Sequence, residues 1–124
     1  MRAEPSTLAI LVPEAEKLVG SYRARYDRSG AEGMPAHITM LWPFKPVSDV
    51  TAEVRADLEA IATAHTAFRF TLPRIARFEL PALYLAPEPE EPFRALMHDI
   101  WTKYPEHPPY GGMYEHNPPH LTVA

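Results

Sequence analysis

The stretch "PAHITMLW", residues 35–42, sets a histidine and a threonine two positions apart in an apolar run. In a β-strand successive side chains point to opposite faces. His37 and Thr39 are therefore predicted to share one face, while Ile38 and Met40 occupy the other. A polar pair on one face of an otherwise apolar strand indicates that this face does more than pack in the core.

The end of the chain repeats this arrangement. In "PPHLTVA", residues 118–124, His120 and Thr122 alternate with Leu121 and Val123. A single histidine in a strand is more often structural than functional, but recurrence with threonine at the same offset, 83 positions later, favours a functional pair. If the two strands are neighbours, four polar groups line one concave surface.

Periodicity and breaker residues predict the elements around these strands. Prolines fit the first turn of a helix, and alternating or continuous apolar runs indicate strands. The predicted elements, in chain order, are a strand at 8–12, a helix from Pro13, the strand at His37, a helix capped by Ser48 or Asp49, strands at 68–72, 75–80 and 82–86, a helix between Pro92 and Pro105, and a strand at 120–123. This order predicts an α+β fold, with a mixed sheet and helices on one side.

The first helix is predicted to be amphipathic. Its apolar residues recur at helical spacing, whereas Glu16 and Arg23 fall on other faces. We therefore expect the apolar stripe to face the core and the charged residues to face solvent. The stripe consists of Ala15, Leu18, Val19, Tyr22 and Tyr26.

The bulk properties bound the class of protein. A chain of 124 residues with 46% apolar and 23% charged residues predicts one folded domain, residues 1–124. A net charge of −4 disfavours binding to long duplex nucleic acid, and the absence of cysteine excludes disulfides and thiolate metal sites. No apolar run approaches the roughly 20 residues that span a bilayer. We expect a cytoplasmic protein.

The paired residues suit chemistry on a phosphate. An imidazole has an unperturbed pKa near 6.5, so it can donate or accept a proton at neutral pH. One imidazole is expected to take the proton of an attacking water while the other protonates the leaving oxygen, with no metal required. The hydroxyls of Thr39 and Thr122 are expected to bind the non-bridging oxygens.

"HITM" at 37–40 and "HLTV" at 120–123 resemble the paired His-x-Thr-x signatures of the two-histidine (2H) phosphoesterase superfamily. "PAHITMLWPF" is especially similar to the bacterial 2′-5′ RNA ligase-like (LigT-like) branch. The resemblance implies a bilobal fold of mixed or antiparallel sheets with helices on the outer side. Because the chain stops four residues after His120, we expect an incomplete second lobe.

By the same resemblance, His37 and His120 are the catalytic pair, and Thr39 and Thr122 bind phosphate. The implied activity is hydrolysis of a 2′,3′-cyclic nucleotide phosphate or of an RNA 2′,5′ linkage, without a cofactor. The expected partner is a small nucleotide or an RNA terminus. Some enzymes of this kind also ligate RNA ends reversibly.

Further candidates and rival functions remain. Phe44 and Tyr114 lie near the signatures and are candidates for stacking on a nucleobase. His116 and His120 have the four-residue offset of metal ligands on a helix, which the prolines between them disfavour. The alternatives to a metal-independent enzyme are a nucleotide or RNA-end binding module without turnover and a metal-dependent hydrolase.

Overall fold

The computed structural model describes residues 4–78, 82–113 and 117–124. Within them the chain forms five strands and four α-helices, and short 3-10 helices lie at Val47–Asp49 and Pro109–Gly112. The elements follow the order β1 (Pro5–Leu11), α1 (Pro13–Tyr26), α2 (Arg28–Ala31), β2 (His37–Pro46), α3 (Ala52–Thr63), β3 (Thr71–Arg77), β4 (Leu83–Glu88), α4 (Glu91–Lys103) and β5 (Leu121–Thr122). The predicted α+β class is confirmed.

The chain divides into two compact units, and two of the boundaries between them fall within β1 and β2. Unit 1 comprises residues 1–8, 40–69 and 91–118, and unit 2 comprises residues 9–39, 70–90 and 119–124. In unit 1, α3 packs on α4, and the core includes Phe44, Phe93 and Ile100. The core of unit 2 is formed by Val12, Ala15, Ala36, Ile38, Pro119 and Leu121, together with one charged side chain, Arg23.

A three-stranded sheet of order β3-β4-β5 belongs to unit 2, and β1 and β2 form a second sheet. Both pairings in the three-stranded sheet are antiparallel. The sequence predicted two strands, at 68–72 and 75–80, whereas over residues 68–78 the structure has the single strand β3; residues 79 and 80 lie outside the described residues. Proline cannot donate a ladder hydrogen bond. The strand nevertheless passes through Pro73, because the register shifts between Thr71 and Arg74 and β3 lies at the sheet edge.

The first helix begins at Pro13 as predicted, but the prediction of which face is buried was wrong. Leu18, Tyr22 and Tyr26 are exposed, whereas Arg23 is only 1% exposed. Of the predicted stripe, only Ala15 is fully buried. The inward face of α1 therefore combines the small apolar Ala15 with a polar network around Arg23.

Local capping explains where α2 and α3 begin. Asp27 precedes α2, and its carboxylate accepts a hydrogen bond from the Gly30 amide at 3.2 Å. The sequence pattern predicted no element for this single helical turn, because four residues are too few to show helical periodicity. For α3 the cap is Thr51, whose hydroxyl accepts from the Val54 amide at 3.2 Å, and not Ser48 or Asp49.

Candidate active site

The first signature lies at the start of β2 and shows the expected alternation. Ile38 is fully buried and Met40 is 3% exposed, whereas His37 and Thr39 are half-buried. The Nδ1 of His37 lies 2.8 Å from the Pro35 carbonyl oxygen. Because a carbonyl can only accept, Nδ1 carries the proton, and Nε2 is the ring nitrogen left for exchange with a substrate.

The second signature lies at β5 and alternates in the same way. Leu121 is fully buried and opposes Leu85 of β4. Thr122 opposes Tyr84, so these two side chains share the other face of the sheet. His120 contacts the same Tyr84 ring, which places the imidazole and the threonine on a common face.

Two aromatic rings orient the imidazole of His120. The ring of Phe78 lies edge-on to it with a centroid distance of 4.9 Å, and that of Tyr84 at 5.5 Å. Phe78 and Tyr84 also pack on each other at 4.3 Å. These contacts restrict ring rotation of His120, which is useful for a group that must meet a substrate in one geometry.

The four signature residues all belong to unit 2 but not to one sheet. Strand β2 pairs with β1, and β5 pairs with β4, so the signature strands are not hydrogen-bonded neighbours. The condition that the two signature strands are neighbours is therefore not met through backbone pairing of the described strands. Strand β5 instead pairs antiparallel with β4 through Leu121 and Thr122.

A carboxylate of α1 fixes the backbone next to His37. The Glu16 carboxylate accepts a hydrogen bond from the Ala36 amide at 2.6 Å. The Val12 amide in turn donates to the Ala36 carbonyl at 2.9 Å. Both polar groups of the residue before His37 are thus satisfied, which defines the direction in which β2 starts.

Arg23 is the site residue that sequence patterns missed. Its Nε donates to the Thr122 carbonyl at 3.1 Å, and its Nη1 donates to the Met34 carbonyl at 2.6 Å. Its Nη2 pairs with the Asp27 carboxylate at 3.1 Å. One buried guanidinium therefore contacts the chain three residues before His37 and the chain two residues after His120.

Of the two residues predicted to stack on a nucleobase, the structure describes Phe44 but not Tyr114. Phe44 is 1% exposed in unit 1, and its ring packs against Tyr104 at 5.1 Å and His107 at 5.3 Å. A ring enclosed in this way offers no face to a nucleobase, which argues against the predicted role of Phe44. Tyr114 and His116 lie outside the described residues.

Two other titratable groups of unit 1, His65 and Tyr104, differ in whether their polar atoms have a partner. His65 follows α3, and its Nε2 lies 2.7 Å from the Asp99 carboxylate of α4. The hydroxyl of Tyr104 is buried and has no hydrogen-bond partner among the residues that the structure describes. Burial, followed by the charges of Asp57, Glu106 and Glu53, raises the pKa of Tyr104. Across residues 4–78, 82–113 and 117–124 there is no group of three or more side chains suited to hold a metal ion.

Comparison with known proteins identifies one family. The model of the 2′-5′ RNA ligase superfamily matches residues 11–124. No curated protein and no solved structure gives a match. Among the described helices, none has both the length and the apolar character needed to cross a membrane.

Proposed function

Because the chain belongs to the 2′-5′ RNA ligase superfamily, and hence to the two-histidine phosphoesterases, we propose that it is a metal-independent phosphoesterase. The proposed substrate is a 2′,3′-cyclic nucleotide phosphate or an RNA terminus that carries one, or a 2′,5′ linkage. His37 and His120 are the acid/base pair, and Thr39 and Thr122 bind the phosphate.

The observation that carries the proposal is the matched presentation of the two signatures within unit 2. In each, the apolar residue between histidine and threonine is fully buried, Ile38 in one and Leu121 in the other. Burying that residue holds the strand in a fixed register, so the half-buried imidazole and hydroxyl face the other way. The hydrogen bond that sets the tautomer of His37 and the aromatic packing of His120 further fix the orientation of the two imidazole rings.

Hydrolysis of a 2′,3′-cyclic phosphate then follows in one in-line displacement. One imidazole takes a proton from water as its oxygen bonds to phosphorus, and the bond from phosphorus to the 2′ or 3′ oxygen breaks. The other imidazole, protonated, gives its proton to that oxygen. Each group exchanges one proton, and the two threonine hydroxyls donate to the non-bridging oxygens as negative charge builds there.

The test is turnover of nucleoside 2′,3′-cyclic phosphates in the presence of a chelator. Wild-type protein is expected to release the nucleoside monophosphate, and His37→Ala and His120→Ala are each expected to lower kcat by about 10² to 10⁴-fold. The matched control is His65→Ala, which removes a histidine paired with Asp99 in unit 1 and is expected to keep wild-type kcat.

Two outcomes would overturn the proposal in different directions. A folded wild type that binds nucleoside phosphates without converting any cyclic phosphate would be a binding module. Activity that is lost in chelator and restored by a divalent cation would identify a metal-dependent hydrolase.

A further inference from the structure

Arg23 is an unusual residue for the interior of a small protein. Its side chain is 1% exposed, and charged side chains are rarely buried this far unless they are paired. Each of the three guanidinium nitrogens has a partner: the Thr122 carbonyl, the Met34 carbonyl, and the Asp27 carboxylate. The burial of the charge is thus compensated by directed hydrogen bonds.

The partners of Arg23 lie in segments that are distant in sequence and central to the site. Thr122 is 99 positions from Arg23 and is itself a signature residue. Met34 begins the short segment 34–36 that leads into His37. Glu16, one of whose carboxylate oxygens lies 3.6 Å from Nη1 of Arg23, holds the Ala36 amide. Two charged side chains of α1 therefore hold the backbone of both signatures.

A second layer fixes the orientation of the guanidinium. The Asp27 carboxylate that pairs with Arg23 also accepts from the Ser29 hydroxyl at 2.8 Å and from the Gly30 amide at 3.2 Å. The Ser29 oxygen lies 3.3 Å from Nη2 of Arg23. Because a planar guanidinium donates in fixed directions, this layer also fixes where the two carbonyls must lie.

We propose that Arg23 is a positioning residue that sets the placement of the two catalytic histidines relative to each other. It does so through the backbone: its bond to Met34 fixes the segment before His37, and its bond to Thr122 fixes the strand after His120. The role rests on the proposed function, since it matters for catalysis only if both imidazoles act on one phosphate. A lysine cannot replace it, because a single nitrogen cannot reach both carbonyls and Asp27 in these directions.

The experiment compares Arg23→Lys with Arg28→Lys, the same exchange at an exposed site. Arg28 pairs with Glu32 on the same surface, and its side chain is 93% exposed. Since small misplacements of catalytic groups cost about 10²-fold, Arg23→Lys is expected to lower kcat roughly 10 to 100-fold with KM within about 3-fold of wild type. Arg28→Lys is expected to keep both values. A folded Arg23→Lys with wild-type kcat, or an equal loss in Arg28→Lys, would overturn the assignment.

Two further measurements keep the test decisive. If Arg23→Lys does not fold, Asp27→Asn preserves the shape of the network but removes the charge that orients Arg23, and kcat is expected to fall roughly 3 to 10-fold. In NMR spectra of the folded variants, the imidazole signals of His37 and His120 should both shift while that of His65 does not. Unchanged spectra for the pair would refute the positioning role.

The spectra also separate this inference from the proposed function. A wild type that hydrolyses none of the cyclic phosphates would end the proposed function. In that case coupled shifts of both imidazoles in Arg23→Lys would still support the positioning of the two segments by Arg23, and their absence would still overturn it.

Discussion

Gly30→Ala should lower the free energy of unfolding, although backbone entropy alone predicts that this exchange raises it. Gly30 lies in α2 and does not adopt a positive φ, so alanine is compatible with its backbone conformation. At such positions the exchange usually stabilises a protein by about 0.4 to 1 kcal/mol, because alanine restricts the unfolded chain. A sequence-based design would therefore choose alanine here.

The surroundings of Gly30 reverse this expectation. A Cβ added there would lie 2.5 Å from the Arg23 carbonyl oxygen, 2.6 Å from its carbonyl carbon and 2.8 Å from its Cβ. Favourable contacts between such atoms lie near 3.5 to 4.0 Å, and two of these three atoms are backbone that no rotamer change can move. Overpacking of this kind costs about 1 to 3 kcal/mol, so we expect a net loss of about 1 to 2 kcal/mol.

Equilibrium unfolding in urea measures this difference. The matched control is Ala31→Gly, the reverse exchange at the exposed neighbouring position of α2, which should cost no more than about 1 kcal/mol. Glycine is thus favoured at one position of this short helix and alanine at the next. A Gly30→Ala protein at least as stable as wild type would show that α1 and α2 do not approach each other as closely as described.

Three further predictions concern other parts of the chain. Thr51→Ala should lower the free energy of unfolding in urea by about 1 kcal/mol, because it removes the N-terminal cap of α3. Ser48→Ala should change that free energy by no more than about 0.5 kcal/mol. Equal effects of the two exchanges would contradict the capping assignment. Tyr104→Phe should match or exceed wild-type stability at neutral pH, since it removes a buried hydroxyl without a partner. Burial raises the pKa of Tyr104 in the folded state, so the unfolded chain releases this proton at lower pH than the folded protein does. The stability of the wild type should therefore fall as the pH rises above about 10. Tyr104→Phe has no phenolic proton and should lack this pH-dependent loss of stability. Finally, one neutral and one protonated imidazole predict a bell-shaped dependence of rate on pH, and a flat profile between about pH 5 and 9 would count against the pair.

The sequence predicted local features well, because they depend on residues a few positions apart. The helix from Pro13 and the helix containing Phe93 and Ile100 both follow from periodicity. The alternation at His37 and His120 follows from the two-residue repeat of a strand. Each of these statements requires only neighbouring residues and the geometry of one element.

Features that depend on distant partners were not predictable in this way. Periodicity wrongly assigned the apolar side of α1 to the core. A pattern of hydrophobic residues carries no information on whether a buried arginine can find hydrogen-bond partners. Arg23 is satisfied by carbonyls 11 and 99 positions away, and neither is visible in a helical pattern. Likewise, the passage of β3 through Pro73 depends on a register shift against β4, which is a property of the pair.

The central claim is that His37 and His120 engage a single phosphate, and NMR titration tests it most directly. A nucleoside 2′-monophosphate, the type of product expected from a cyclic phosphate, is added while the imidazole signals of all assigned histidines are followed. We predict that the signals of His37 and His120 move together with one dissociation constant and a stoichiometry of one ligand per chain, while that of His65 stays in place. Movement of only one of the pair, or different dissociation constants for the two, would contradict the account.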